Sequence, residues 1–290
     1  VNRKILSTDL DGTIIFDGRV READLAAMRR WREAGHLLVM NTGRSVDALH
    51  SALDASGLEF DYALLYSGAV ITDGDYEVLH VTAMPDGVPA GVVEIVDGAP
   101  GVTVFTTTLG TDYQVYDTIG SSTELLTIFT PGTTADVEGL SVIGVPVRVA
   151  DGPLFERIRT DVEERWGGAV IGFRNQDFYD LVPAGVSKGL GLTELVAELT
   201  APGGPYEGES IETWTVGDSW NDIPMHEVAD HPIAMASAPA DVVDVCEVTT
   251  PSVAAVVDWV LAAEADPDHA DSWRDDDGVM TWPSRPGELA

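Results

Sequence analysis

Apolar residues recur along this chain with two periods, and the places where one gives way to the other mark its elements. Ile5 and Leu6, with the β-branched Thr8, make a short run that stops at Asp9, as a buried strand would. Ile14, Ile15, Phe16 and Val20 flank Asp17-Gly18, a hairpin signal. Residues 21–34 carry Leu25, Met28 and Trp31 at helical spacing, and Gly35 supplies a stop. Residues 37–40 form a second apolar strand that runs into Asn41-Thr42-Gly43-Arg44-Ser45. Ser45 then caps a helix that turns Val46, Leu49 and Leu53 inward. Residues 62–66 are a third strand, ending at Ser67-Gly68-Ala69. Strand, helix, strand, helix, strand at this spacing predicts an α/β fold with a doubly wound parallel sheet. Ligands of such sheets sit beyond the carboxyl ends of the strands, where Asp9, Thr42 and Ser67 fall.

Near Val81 the rhythm changes. Strand-like runs at 102–108, 113–116 and 142–149 precede a helical pattern at 153–166, and two further strands follow at 169–173 and 178–182. This block reads as an α+β insert on an antiparallel sheet, with hinges at the turn-rich segments 83–87 and 183–185. The alternation then resumes. Ser187 caps a helix bearing Leu190, Leu192, Leu195 and Leu199, residues 211–216 are a strand, and Gly217-Asp218-Ser219-Trp220-Asn221-Asp222 ends it. A strand at 231–236 and a closing helix at 252–263 complete the pattern. The remainder, rich in Asp and Pro with Trp273 and Trp282, reads as an acidic tail.

Composition narrows the function. The chain has 290 residues, 44% of them hydrophobic, with a net charge of −33, so nucleic acid and anionic membrane are not expected partners. It shows no apolar run of membrane-spanning length and no signal peptide, and the single Cys246 excludes an internal disulfide framework. A cytoplasmic location is the corresponding expectation. An anionic substrate would be repelled at long range, so its site needs local positive charge or metal. Lys4 and Lys188 are the only lysines.

The candidate chemistry sits at the strand ends. Asp9 and Asp11, two residues apart in extended chain, face one point in space, and Gly12 lets the chain turn behind them. Two such charges either share a cation or a proton, or are solvated in an ordinary turn. A calcium loop fits poorly, since Gly12 comes too early and Val20 stands where the twelfth-position Glu belongs. Lys188 lies in the first turn of its helix, a position the helix dipole disfavours for a cation. A snorkelling surface lysine is the ordinary alternative to an anion-binding one. Asp218 and Asp222 follow another strand end at a spacing that one helical turn brings together, which also suits a simple N-terminal cap. His226 and His231 read as packing or surface residues.

Four separated motifs now agree. With DLDGT at 9–13, NTGR at 41–44, Lys188 within GVSKG and GDSWNDIPM at 217–225, the chain resembles the haloacid dehalogenase-like phosphohydrolase superfamily. Motif order and the large insert look like its Cof-type branch with a type-II cap, over roughly residues 1–263. The one departure is Ser67, where the family usually has Asn. The resemblance implies a Rossmann-like core over 1–81 and 186–263, an inserted α+β cap over 82–185 and a tail over 264–290. It further implies that Asp9 is the nucleophile and that Asp11 serves as acid and then base. Mg²⁺ would be held by Asp9, the Asp11 carbonyl and Asp218. Thr42, Gly43, Arg44, Lys188 and Asn221 would bind the phosphoryl group, with Asp222 and Thr13 supporting from behind. The implied activity is hydrolysis of a small phosphorylated metabolite, such as a sugar phosphate, by a monomer or homodimer. A phosphomutase of related architecture and a non-catalytic binding protein are the alternatives.

Overall fold

The computed structural model describes residues 3–120, 129–149, 151–175 and 177–266. The expected tail, with Trp273 and Trp282, lies outside the described residues apart from its first positions. The chain opens with β1 (Arg3–Thr8), the small hairpin β2 (Ile15–Phe16) and β3 (Arg19–Val20), and helix α1 (Glu22–Glu33). Next come β4 (Leu37–Asn41), α2 (Val46–Leu53), β5 (Tyr62–Leu65), β6 (Val70–Asp73) and β7 (Val78–Val81). An inserted unit follows, comprising α3 (Val88–Val96), β8 (Val102–Thr108), β9 (Tyr113–Asp117), β10 (Thr130–Pro131), β11 (Val142–Val149), α4 (Gly152–Trp166), β12 (Val170–Asn175) and β13 (Phe178–Pro183). The chain closes with α5 (Lys188–Thr200), β14 (Ile211–Gly217), α6 (Ile223–Val228), β15 (His231–Met235), α7 (Ala240–Val243), β16 (Val248–Thr250) and α8 (Val253–Ala265).

The main sheet has the order β16-β15-β14-β1-β4-β5-β6-β7. It is parallel from β16 to β5 and antiparallel at the β5, β6, β7 edge. Parallel strands buried on both faces need apolar side chains throughout, and every residue of β4 is buried. Side-chain alternation divides these strands between two layers. Leu6, Leu38, Met40 and Val216 pack with Met28 and Trp31 of α1 and Val256 and Val257 of α8. Ile5, Leu37, Val39 and Leu64 face Leu192, Leu195 and Leu199 of α5. The order reverses direction around β1, so the ends of β1, β4 and β14 open onto one crevice.

The inserted unit has its own six-stranded sheet, β10-β9-β8-β11-β13-β12, antiparallel except for β9 with β10. One face packs α3 and α4 through Val88, Val92, Val96, Ile158 and Val162 against Val104, Val145, Val147 and Leu181. From the other face, Ile143 and Val182 join the main core, with Ile171 and Phe173 packed against it.

Helix α3 and the β6–β7 hairpin are among the elements absent from the sequence pattern. Helix α3 contains Pro89, Gly91 and four valines, a composition of low helix propensity. It forms because Val88, Val92 and Val96 make one buried stripe at i, i+4, i+8. The hairpin edge β6–β7 adds two strands before the insert. Val78, Leu79 and Val81 of β7 are exposed, so this edge strand carries no alternation to read. Helix α8 also continues through Ala265. Glu264 therefore belongs to the folded body, where its carboxylate binds Lys4 Nζ and lies 3.0 Å from His36 Nε2.

Candidate active site

The chain leaves β1 with the Asp9 amide donating to Val216 O at 2.9 Å, which locks the loop to the end of β14. Leu10 O then accepts from the amides of Thr13, Ile14 and Ile15, folding the segment back into the β2–β3 hairpin. Gly12 has φ of +85°, and a Cβ there would collide with Asp218 Oδ2. No other residue permits both that backbone and that approach. The tight turn thus brings the first acidic motif against the last.

Lys188 is fully buried and its ammonium joins the two motifs, 2.7 Å from Asp9 Oδ1 and 2.5 Å from Asp222 Oδ1. The Ser187 hydroxyl caps α5 by accepting from Leu190 N. The Asn41 amide donates to Lys188 O and to Ser7 Oγ, both at 3.1 Å, tying the end of β4 to the same helix start. Asp222 Oδ2 accepts from the amides of Asp218 and Ser219 at 2.9 Å each. Both Asp222 oxygens are therefore committed, one to Lys188 and one to backbone. Thr13 Oγ1 donates to Asp218 Oδ1 at 3.3 Å.

Carboxylate oxygens of Asp9, Asp218 and Asp222 all lie within 4.8 Å of one another. Their combined negative charge exceeds what Lys188 neutralises. Burial pushes the Asp9 carboxyl up to about 8, with Lys188 opposing and the charges of Asp222 and Asp11 adding. Asp218 rises to about 6, chiefly from burial and then from Asp222. For Lys188, burial works against the charge, but Asp222 and Asp9 outweigh it and hold the ammonium above the ordinary lysine range. Such a cluster, short of positive charge and furnished with hard oxygen donors, has the chemistry that suits a divalent cation such as Mg²⁺.

Arg44 is placed otherwise than as a free phosphate ligand. Its Nε and Nη2 donate to the two oxygens of Asp11, both at 2.7 Å, in a bidentate pair. The Asp11 side chain is half exposed and paired with this guanidinium, and it is not one of the three carboxylates of the Asp9, Asp218 and Asp222 cluster. Thr42 is buried at the end of β4, its amide on Leu64 O and its hydroxyl accepting from Arg44 N. Gly43 lies open beside three side chains. An ideal Cβ on it would stand 3.5 Å from Ser67 Oγ, 3.8 Å from Asp180 Oδ2 and 4.0 Å from Asn221 Nδ2. Ser67 Oγ and Asn221 Oδ1 are buried with no hydrogen-bond partner among the described residues.

The sequence places Ser67 at a strand end but not the direction of its side chain, and it gives no sign of Asp180. Tyr66 and Ser67 adopt successive left-handed conformations, φ of 50° and 57°, which aim Ser67 at the Gly43 loop. The Tyr66 hydroxyl donates to Thr108 O of the insert at 2.7 Å. Asp180, from β13, is a carboxylate of the insert beside Gly43; its strand reads only as an apolar run with one acid.

Residues 6–258 match the family described as haloacid dehalogenase-like hydrolases. The chain belongs to that family, as the four motifs imply. No curated protein matches the sequence significantly. Among solved structures, a haloacid dehalogenase-like hydrolase from B. subtilis superposes with a TM-score of 0.74 at 19% identity, covering 88% of this chain and 99% of that one. The HAD subclass IIB sugar phosphatase BT4131 gives a TM-score of 0.71 at 18% identity, covering 90% of this chain and 98% of its own. BT1666 from Bacteroides thetaiotaomicron, described as a phosphatase of the HAD superfamily, gives 0.70 at 22%, covering 91% and 94%. These likenesses show the fold: a Rossmann-like core with an inserted α+β cap. Among the described residues no helix is long and apolar enough to cross a membrane.

Proposed function

We propose that this hydrolase is a Mg²⁺-dependent phosphatase that cleaves a small phosphorylated metabolite through an aspartyl-phosphate on Asp9. The observation that carries the reading is the buried Lys188 ammonium seated between Asp9 and Asp222 at the ends of the central strands. Family membership and the subclass IIB sugar phosphatase of the same fold support it.

Asp9 and Asp218, with the backbone carbonyl of Asp11, would hold the cation, and Thr13 would orient Asp218. When bound, the cation supplies charge stabilisation to the phosphoryl oxygens and draws the clustered carboxyls back to their ionised forms. Ionised Asp9 attacks phosphorus as a nucleophile, and the ester oxygen leaves as the alcohol with a proton from Asp11. Asp11 then takes a proton from the water that hydrolyses the acyl phosphate, returning Asp9. Arg44 holds both Asp11 oxygens, so in this reading the pair opens for Asp11 to reach the ester oxygen and the water. Lys188, Thr42, Gly43 and Asn221 would bind the phosphoryl oxygens, Lys188 being fixed in turn by Asp222. Preorganised charge must supply most of the acceleration, since phosphate monoesters are among the slowest bonds to hydrolyse. In this reading residues 82–185 are the cap and close over the crevice formed by residues 1–81 and 186–263.

The test is phosphate release from a panel of phosphorylated metabolites with Mg²⁺, repeated with EDTA. Release that depends on Mg²⁺ and is lost in Asp9→Asn supports the reading. Release undiminished by EDTA, or retained in Asp9→Asn, overturns it.

A further inference from the structure

Within NTGR, Thr42, Gly43 and Arg44 have places in the mechanism and Asn41 has none. Asn41 ends β4 on the face that Leu37 and Val39 turn towards α5, where another apolar residue would continue the packing. An amide stands there instead, fully buried, in a strand setting that disfavours Asn. Burying it is costly unless it is hydrogen-bonded. Asn41 Nδ2 donates to Ser7 Oγ on β1 and to Lys188 O in the first turn of α5, both at 3.1 Å. A carbonyl oxygen only accepts, so the nitrogen of the amide, not its oxygen, must face Lys188. Ser7 stands two residues before Asp9, and Asn41 one residue before Thr42. One buried amide thus fastens together the three elements that carry Asp9, Thr42 and Lys188.

The bond matters because Lys188 has little room to adjust. Its side chain is fully buried, with the ammonium between Asp9 Oδ1 and Asp222 Oδ1. In a close-packed interior a shift of the lysine backbone is passed on to its head. Backbone contacts fix the first turn of α5 on two sides, since a Cβ on Gly68 would collide with Ser187 O and one on Gly189 with Pro224 O. Neither contact involves β1 or β4, and Asn41 supplies that link. We infer that Asn41 is a positioning residue for phosphoryl transfer: through Lys188 O it sets where the ammonium stands relative to the Asp9 carboxylate. The inference rests on the phosphatase reading and adds to it a residue that acts only through the backbone of another. Lys188 is needed most as charge builds on the phosphoryl oxygens in the transition state, and a misplacement of about 1 Å costs on the order of a hundredfold in rate. Loss of the amide therefore lowers kcat more than it raises KM.

The experiment uses the full chain with Mg²⁺ and p-nitrophenyl phosphate, comparing Asn41→Val and Asn41→Ala with the unsubstituted protein. Valine suits a buried strand and removes the amide, so its Tm should fall by no more than about 5 °C. Both variants are expected to lower kcat about ten- to a hundredfold, with KM moving less than about threefold. The inhibition constants of orthovanadate and inorganic phosphate give a readout that does not depend on how much of the protein is folded. Vanadate takes the five-coordinate geometry of the transition state, so its constant should rise by about the factor by which kcat falls, while that of phosphate stays within about threefold. Alanine carries the test if valine overpacks the site and the chain does not fold. Failure of both variants to fold, unchanged kcat in a folded variant, or equal rises in the two inhibition constants would leave Asn41 a purely structural residue and overturn the inference. Absence of Mg²⁺-dependent p-nitrophenyl phosphate hydrolysis by the unsubstituted protein instead refutes the phosphatase reading beneath it.

Discussion

Lys188 Nζ stands 2.7 Å from Asp9 Oδ1, although 179 residues separate them in the chain. The pairing places a buried cation on the carboxylate assigned as nucleophile, and Asp222 holds it from the other side at 2.5 Å. Breaking a buried pair by removing one partner costs more than the pair contributes, because the remaining charge stays desolvated. Lys188→Met should therefore destabilise the protein by roughly 3–5 kcal/mol and remove detectable phosphate release. Lys188→Arg should not restore activity, since a planar fork cannot replace a compact ammonium in a fully enclosed site. Urea unfolding and phosphate release measure the two effects. A Met variant as stable and as active as the parent would contradict this account.

Asp9→Asn keeps the volume and removes the attacking charge. Turnover should fall at least about a thousandfold, as when other nucleophiles are removed. The fold should survive, because the Asp9 amide bond to Val216 O is independent of the side chain. Circular dichroism and phosphate release read the two halves. Near-parental turnover would refute a covalent role for Asp9.

The metal assignment makes a binding prediction that needs no substrate. Asp9 and Asp218 come from the ends of β1 and β14, so a cation held by both links two strands and stabilises the folded state. Mg²⁺ should raise the Tm of the parent by a few degrees at saturating concentration, and EDTA should reverse the rise. Asp218→Ala should lose the shift and the phosphate release together. A Tm rise of the same size in that variant would place the cation elsewhere.

His226 supplies a pH prediction. It is buried on α6 with Nδ1 2.9 Å from Thr215 Oγ1, and burial lowers it to about 4 from an ordinary 6.5. Between 6.5 and 4 the unfolded chain takes up a proton that the fold refuses, so stability falls as pH falls through that window. The group contributes on the order of 3 kcal/mol of this loss. Asp9, Asp218 and the buried Asp112, which accepts from Thr108 N in the turn after β8, act the other way, being raised to about 8, 6 and 6, so each favours the fold as pH drops through its own range. The difference between parent and His226→Gln isolates the histidine. Denaturation midpoints of the two should converge between pH 7 and pH 4, and parallel curves would exclude the assignment.

The sequence by itself determined the parallel core and four of the motifs at its strand ends. A strand buried on both faces favours apolar residues, and the polar residues at the ends of β1, β4 and β14, namely Asp9, Asn41 and Asp218, stand out against them. It also marked Lys188, because a lysine in the first turn of a helix opposes the dipole and only a partner elsewhere can offset that. What only the tertiary structure decided is partnership across distance. Arg44 could bind phosphate or a carboxylate equally well by its chemistry, and the loop geometry gives it to Asp11. Ser67 is aimed by two successive left-handed residues that carry no glycine to announce them. Helix α3 exists against its own propensity, because Val88, Val92 and Val96 find a sheet to cover. Asp180 is one acid in an apolar strand, and only the folded insert brings it beside Gly43. Local preference and burial pattern are written along the chain. The choice among chemically equivalent partners is made by which surfaces the packed layers bring together.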